Sequence, residues 1–107
     1  MKWHISFYNH KVESETLSFP TGILANFLHI AEMIEEFGPA LGAPYTKPLG
    51  DGLFEVRAKG KEGIGRSFFC MVKGQEVIIL HSFIKKSQQT PKKEMKIAQK
   101  RLKEVKS

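Results

Sequence analysis

Two apolar runs joined by a short polar segment, "GRSFFCMVKGQEVIILHSFIKK", occupy residues 65–86. Both runs are rich in aromatic and β-branched residues, which favour strands, and "KGQ" is short enough to form a turn between them. The sequence therefore predicts an antiparallel hairpin. Cations border this hairpin: Arg66 opens it and Lys85 and Lys86 close it, while His81 interrupts its second strand. What these side chains bind is the main question that the stretch poses.

A third strand is predicted immediately before the hairpin, in "LFEVRA" at residues 53–58. Its residues alternate, so that Leu53, Glu55 and Arg57 face one side of the sheet and Phe54, Val56 and Ala58 face the other. The three strands most simply form an antiparallel meander. In that arrangement Arg57, Arg66 and His81 can approach one another on neighbouring strands.

The remaining segments predict two N-terminal helices, a further strand and a C-terminal helix. A strand is expected at residues 3–8, a short helix within 9–19, and a longer helix that begins near Pro20 and stops at Gly38. Four apolar residues at helical spacing define the buried face of the longer helix: Ile23, Phe27, Ile30 and Ile34.

Residues 38–52 are rich in glycine and proline, so we predict a loop there. A linker at 85–89 then leads into a helix within residues 91–105. That helix carries a narrow apolar stripe surrounded by lysines: Met95, Ala98, Leu102 and Val105.

The composition fits one soluble domain over residues 1–107, with 41% hydrophobic and 26% charged residues. No apolar stretch is long enough for a membrane span, and the N-terminus lacks a signal-peptide pattern. The single cysteine, Cys70, cannot form an internal disulfide, so we expect a cytoplasmic location. Because Cys70 lies in an apolar strand, a buried structural thiol is favoured over a nucleophile.

Positive charge is concentrated at the C-terminus. Residues 1–84 hold 8 Lys/Arg against 9 Asp/Glu, a net charge of −1, whereas residues 85–107 hold 9 against 2, a net charge of +7. Such a block suits a polyanion such as RNA, DNA or the ribosome. A solvated helix face and a docking surface for an acidic protein are the alternatives.

No metal-binding spacing, phosphate-binding loop or serine elbow is present in the sequence. The cationic cluster on the meander instead matches RNA cleavage by the 2′-hydroxyl, which needs a base, an acid and cations to stabilise the phosphorane. His81 is the one member of the cluster whose ordinary pKa lies near neutrality. The alternatives are a hydrogen-bonded structural histidine, and a simple Glu55–Arg57 pair on a wet sheet face.

Two segments, "GLFEVRAKGKEGIGRSFFC" (52–70) and "VIILHSFIKKSQQTPKKEMKIAQKRLKEV" (77–105), resemble the RelE/HigB toxin superfamily, in particular its phage-derived, HigB-like branch. The resemblance implies an α+β fold. In it, two N-terminal helices pack on a twisted, mostly antiparallel four-stranded sheet, with a basic C-terminal helix.

The activity implied by the resemblance is cleavage of mRNA on the ribosome, inhibiting translation, by a toxin of a type II toxin–antitoxin system. Neither a metal nor a cofactor is implied; the products would carry 2′,3′-cyclic phosphate and 5′-hydroxyl ends, and the partner would be a helix-turn-helix antitoxin. Arg57, Arg66, Lys85 and Lys86 match basic positions of the family, and His81 is our own addition. The catalytic candidates are Arg57, Arg66, His81 and Lys86, and the RNA-binding candidates are Lys85, Lys92, Lys93 and Lys96.

The sequence departs from the family at two points. No tyrosine follows Tyr45, although some members have a catalytic-site tyrosine near the C-terminus, and Glu55 stands where some relatives have lysine. The alternative functions are a non-enzymatic, ParE-like inhibitor of DNA gyrase and a plain RNA-binding module. Cyclic phosphate ends would identify an enzyme.

Overall fold

The computed structural model describes residues 2–85 and 91–106. It contains one five-stranded sheet of order β1-β5-β4-β3-β2, in which β1 runs parallel to β5 and the other neighbours are antiparallel. The elements in chain order are β1 (His4–Phe7), α1 (His10–Leu17), α2 (Thr21–Phe37), a 3-10 turn (Gly38–Ala40), β2 (Thr46–Gly50), β3 (Leu53–Gly60), β4 (Gly63–Val72), β5 (Glu76–Lys85) and α3 (Lys92–Lys106).

The expected four-stranded sheet is wrong by one strand, because β2 lies within the segment predicted as a loop. β2 pairs with β3 at the edge of the sheet, and its pairing is irregular between Pro48 and Gly50. An edge strand tolerates proline because its outward N–H is not needed for the ladder. Left-handed backbone at Gly50, Asp51 and Gly52 turns the chain into β3.

The helices α1 and α2 cover one face of the sheet, as expected. Asn9 caps α1 by accepting a hydrogen bond from the Val12 N–H at 2.9 Å. The predicted apolar face of α2 is confirmed, since its four residues are all buried against the sheet. The sheet contributes Val56, Ala58, Phe69, Val77 and Ile79 to this larger core.

The C-terminal helix α3 packs on the opposite face of the sheet. Its Ala98 and Leu102 are buried against β3, β4 and β5, and Met95 and Val105 flank them. The fold is therefore an α/β/α sandwich with unequal outer layers. None of the described helices combines the length and apolar character needed to cross a membrane.

An irregularity in β5 determines which side chains lie beneath α3. The β4–β5 pairing passes from Phe68–His81 to Phe69–Ile79, so Leu80 has no direct partner on β4. Such a bulge places two consecutive residues on one face of the sheet. Leu80 consequently packs in the core beneath α3, and His81 also contacts α3.

Candidate functional site

Basic side chains converge on the part of the sheet that extends past the start of α3. Arg57 on β3 lies directly opposite Arg66 on β4, and Arg66 lies opposite Phe83 on β5. The register of the three-stranded meander thus brings together the two arginines that were predicted as site residues. In the strand register, Lys47 on β2 lies opposite Glu55 on β3, and Lys85 on β5 lies opposite Ile64 on β4. These two positions lie on either side of the Arg57–Arg66 row. We refer to Lys47, Arg57, Arg66 and Lys85 as the cationic face.

Arg66 is a buried member of the cationic face and is held in place by Glu55. Its Nη1 lies 3.2 Å from Glu55 Oε2, and the two side chains are only 7% and 2% exposed. A buried guanidinium requires such a partner because an unpaired charge in the interior is strongly unfavourable. The interpretation of Glu55 as half of a wet surface pair with Arg57 is therefore wrong: Glu55 is buried and pairs with Arg66.

The two arginines affect the pKa of Lys85. Partial burial lowers the pKa of its ammonium, and repulsion from Arg66 and then Arg57 lowers the pKa further, against a smaller opposing effect of Glu55. Among the described side chains that act on one another here, one carboxylate, Glu55, thus faces the four cations of the cationic face. The surplus of positive charge makes the cationic face suited to phosphate groups.

His81 lies one row away from Arg66 and is anchored by a residue on α3. Its Nε2 is 2.7 Å from Oε1 of Glu94, and its ring stacks on Phe83 with centroids 5.8 Å apart. The other ring nitrogen, Nδ1, is buried without a hydrogen-bond partner in the described part of the chain. His81 is therefore fixed in orientation by a carboxylate, an arrangement that also occurs in proton-transfer sites.

Sequence reasoning missed Glu94. A glutamate in the first turn of a helix is an ordinary feature, because its negative charge interacts favourably with the positive end of the helix dipole. Only the docking of α3 on β5 shows that this carboxylate reaches a histidine 13 positions earlier in the chain. The family-like segment "TPKKE" contained Glu94 but indicated no role for it.

The remaining predicted residues lie apart from the cationic face. Lys92, Lys93 and Lys96 are exposed on the first turns of α3, and Lys93 lines a cavity of about 370 Å³ that also contains His81 and Glu94. Lys86 lies outside the described residues. The structure thus unites Arg57, Arg66 and Lys85, places His81 beside them, and sets the three helix lysines on a neighbouring surface.

Cys70 is fully buried beneath α3, and burial raises the pKa of its thiol. Both features suit the predicted structural thiol, because a nucleophilic cysteine needs an accessible thiolate. Within residues 2–85 and 91–106, no three histidine, cysteine or acidic side chains gather as a metal site would require.

Comparison with known proteins agrees with this architecture. Residues 14–103 match the model of a family described as "Phage derived protein Gp49-like". The fold is similar to the crystal structure of an archaeal RelE–RelB complex from Pyrococcus horikoshii OT3, with a TM-score of 0.56 and 18% sequence identity over 78% of this chain and 96% of that chain. No curated protein matches the chain by sequence.

Proposed function

The chain belongs to the phage-derived Gp49-like family and has a RelE-like fold, and from this premise we propose that it is a toxin that cleaves mRNA on the ribosome. The similar archaeal structure is a complex of RelE with RelB. That likeness supports a cognate protein partner, which we propose to be a helix-turn-helix antitoxin.

The cationic face is the observation that carries the proposal. Arg57 and Arg66 lie opposite one another on adjacent strands, and Lys85 is close enough for both to lower its pKa. Holding like charges together is unfavourable in the free protein and becomes favourable when an anion binds between them. A non-enzymatic gyrase inhibitor would have no need for this convergence, which therefore favours the enzyme over that alternative.

The proposed reaction uses the RNA's own 2′-hydroxyl as the nucleophile. A bond forms between O2′ and phosphorus, the bond from phosphorus to O5′ breaks, a base removes the 2′ proton, and an acid protonates O5′. Negative charge increases on the non-bridging phosphate oxygens in the transition state. Arg57 and Arg66 would stabilise that charge, and removing one such donor typically lowers the rate by about 10²–10³-fold.

Two side chains are candidates for the proton transfers. If Nε2–H of His81 donates to Glu94, Nδ1 carries the free lone pair. Because Nδ1 is buried, His81 acts only if its surroundings rearrange when RNA binds. Lys85 needs no such rearrangement, and its lowered pKa increases the fraction of neutral amine at any given pH.

The proposal is tested with purified ribosomes programmed with a defined mRNA. We expect cleavage that leaves 2′,3′-cyclic phosphate and 5′-hydroxyl ends, and loss of cleavage when the nucleotide 5′ to the cut carries a 2′-deoxyribose. Lys85→Gln should cut more slowly, whereas Lys73→Gln, on the exposed β4–β5 turn, should cut at the parent rate. Cleavage of the deoxy substrate would exclude the 2′-hydroxyl mechanism.

Other outcomes would point to the two alternative functions. Ribosome or RNA binding without new ends in the RNA would indicate a binding module. Inhibition of DNA gyrase supercoiling by the protein, with intact mRNA, would indicate a ParE-like inhibitor. Each outcome would contradict the proposed enzyme.

A further inference from the structure

An apolar groove lies where α1 and α2 approach β1, away from the cationic face. Ile5, Phe7 and Phe27 lie among its lining residues, and its volume is about 370 Å³. Leu17 and Leu28 also line it, and they are 47% and 46% exposed. Clustered apolar side chains that remain accessible to water are typical of surfaces that bind another molecule.

The border of this groove is acidic. Glu13, Glu32 and Glu35 line it, and no lysine or arginine of residues 2–85 and 91–106 does so. The surrounding region shares this character: residues 10–37 hold five glutamates and one lysine, a net charge of −4. The rest of the chain holds 16 Lys/Arg and 6 Asp/Glu, a net charge of +10.

We propose that this groove binds a basic amphipathic helix of a partner protein. Leucines or isoleucines on one side of such a helix would cover Leu17 and Leu28, while its lysines or arginines would reach the three glutamates. The groove follows α2 from Phe27 to Glu35, which at 1.5 Å per residue is about 12 Å, or roughly two turns of a helix lying alongside.

The charge of the groove excludes other occupants. RNA, DNA and anionic membranes would be repelled by the three carboxylates at its border. A second copy of this chain offers α3 as a basic helix, but the apolar stripe of α3 is already packed on its own sheet. A separate partner that carries both basic and apolar residues is the occupant that fits.

The test uses synthetic peptides of about 18 residues, about five helical turns, labelled with fluorescein and titrated with the intact protein at physiological salt. One peptide carries leucine and lysine at helical spacing. A second has the same composition with strict alternation, and a third replaces lysine by glutamate. We expect the first to bind most tightly, although the protein's overall positive charge repels it.

Matched variants locate the binding. Leu28→Glu, and separately Glu32→Lys combined with Glu35→Lys, should each weaken binding by about tenfold or more, because they bury a charge or reverse the attraction. The controls are Phe37→Glu, which alters a side chain 57% exposed outside the groove, and Glu36→Lys, which makes a charge reversal beside it. Both controls should bind like the parent.

Several results would overturn the proposal: no binding of the first peptide, tighter binding of the alternating or the acidic peptide, or equal effects of the groove and control variants. Circular dichroism verifies that each variant is folded. The readout is binding only, so a protein that fails to cleave RNA can still confirm the groove, and one that cleaves RNA can still refute it.

Discussion

The two faces of the sheet are covered in different ways. On the α1–α2 face, aliphatic and aromatic side chains form the larger core, and its buried polar contacts include a chain of hydroxyls from Thr16 through Ser82 to Ser67, with two oxygen–oxygen distances of 2.7 Å. On the α3 face, a charged pair and a histidine–glutamate contact lie beside a smaller core. The proposed RNA site would therefore be coupled to stability on the α3 face, whereas the core on the other face lies apart from that site.

The contacts that hold the helices on the sheet also differ between the two faces. The helix α2 is held by a row of fully buried side chains, each contributing about 1.5–3 kcal/mol. The helix α3 buries fewer residues and adds polar contacts. Arg101 donates to the Leu80 carbonyl at 2.7 Å, and the Tyr8 hydroxyl donates to Glu104 at 2.7 Å. Because polar contacts give less net stability than buried apolar side chains, we expect α3 to separate from the sheet more easily than α2.

The largest effect is expected from Arg66→Ala. The substitution leaves the carboxylate of Glu55, which is 2% exposed, without the guanidinium of Arg66. Breaking a buried pair in this way typically costs about 3–5 kcal/mol, a large part of the roughly 5–15 kcal/mol that stabilises a domain. Urea unfolding measures the change. If the free energy of unfolding falls by less than about 0.5 kcal/mol, the pair contributes no more than an exposed ion pair. Stability on the α3 face would then not depend on this charged pair.

The matched control removes both charges. In Glu55→Leu combined with Arg66→Met, no buried charge remains from this pair, so we expect most of the free energy of unfolding to return. Cleavage should remain about 30- to 1000-fold below the parent, because the lost arginine contributes about 2–4 kcal/mol in the transition state. Recovery of cleavage along with stability would show that Arg66 has a structural role only.

The second effect concerns His81 and its partner Glu94. His81→Gln should lower single-turnover cleavage by about 10²–10⁴-fold with ribosome binding retained, because glutamine cannot titrate near neutral pH. Glu94→Gln should also slow cleavage, because a neutral amide holds the His81 ring less firmly than the carboxylate does. His29→Gln is the control, since His29 is exposed on α2. If His81→Gln cleaves within tenfold of the parent with the same pH profile, Lys85 becomes the remaining proton-transfer candidate.

The parts of this site that could be predicted from the sequence lie within the antiparallel meander of β3, β4 and β5. Alternation in β3 and the short turns between strands are enough to place Arg57 beside Arg66, and helical spacing is enough to identify the buried face of α2. The His81–Glu94 contact could not be predicted, because it joins a strand to a separate helix. The bulge at Leu80, which turns His81 towards α3, has no distinct sequence pattern.

The third effect tests whether the start of α3 extends the cationic face. Lys92, Lys93 and Lys96 are exposed, so changing all three to Gln should leave the free energy of unfolding nearly unchanged. If each contacts a phosphate, the slope of log affinity against log salt should fall by about 2–3 in total. Lys100, Lys103 and Lys106 are exposed on the later turns of α3, and the same change there should leave the slope unaltered. Equal slopes for both triple variants would exclude specific phosphate contacts at the helix start.

The smallest effect is expected from Lys85, and it connects stability to pH. Burial and the neighbouring arginines lower the pKa of Lys85 in the folded protein below its ordinary value of 10.5. Between the folded and the unfolded pKa, the unfolded chain binds more protons than the folded chain, so the free energy of unfolding contributed by Lys85 rises with pH. Below the folded pKa, where Lys85 is charged in both states, the full penalty of holding this charge remains.

Lys85→Met removes that penalty and keeps much of the apolar stem. The variant should therefore be more stable than the parent at neutral pH, and the difference should shrink as pH approaches 10.5. Lys73→Met, on the exposed turn between β4 and β5, should show no such pH dependence. Thermal unfolding across this pH range, with cleavage measured on the same samples, distinguishes the outcomes. If Lys85→Met is less stable at neutral pH, the repulsion among the cations is already relieved in the free protein. A variant that gains stability and loses cleavage would show that the α3 face retains an unfavourable charge because RNA requires it.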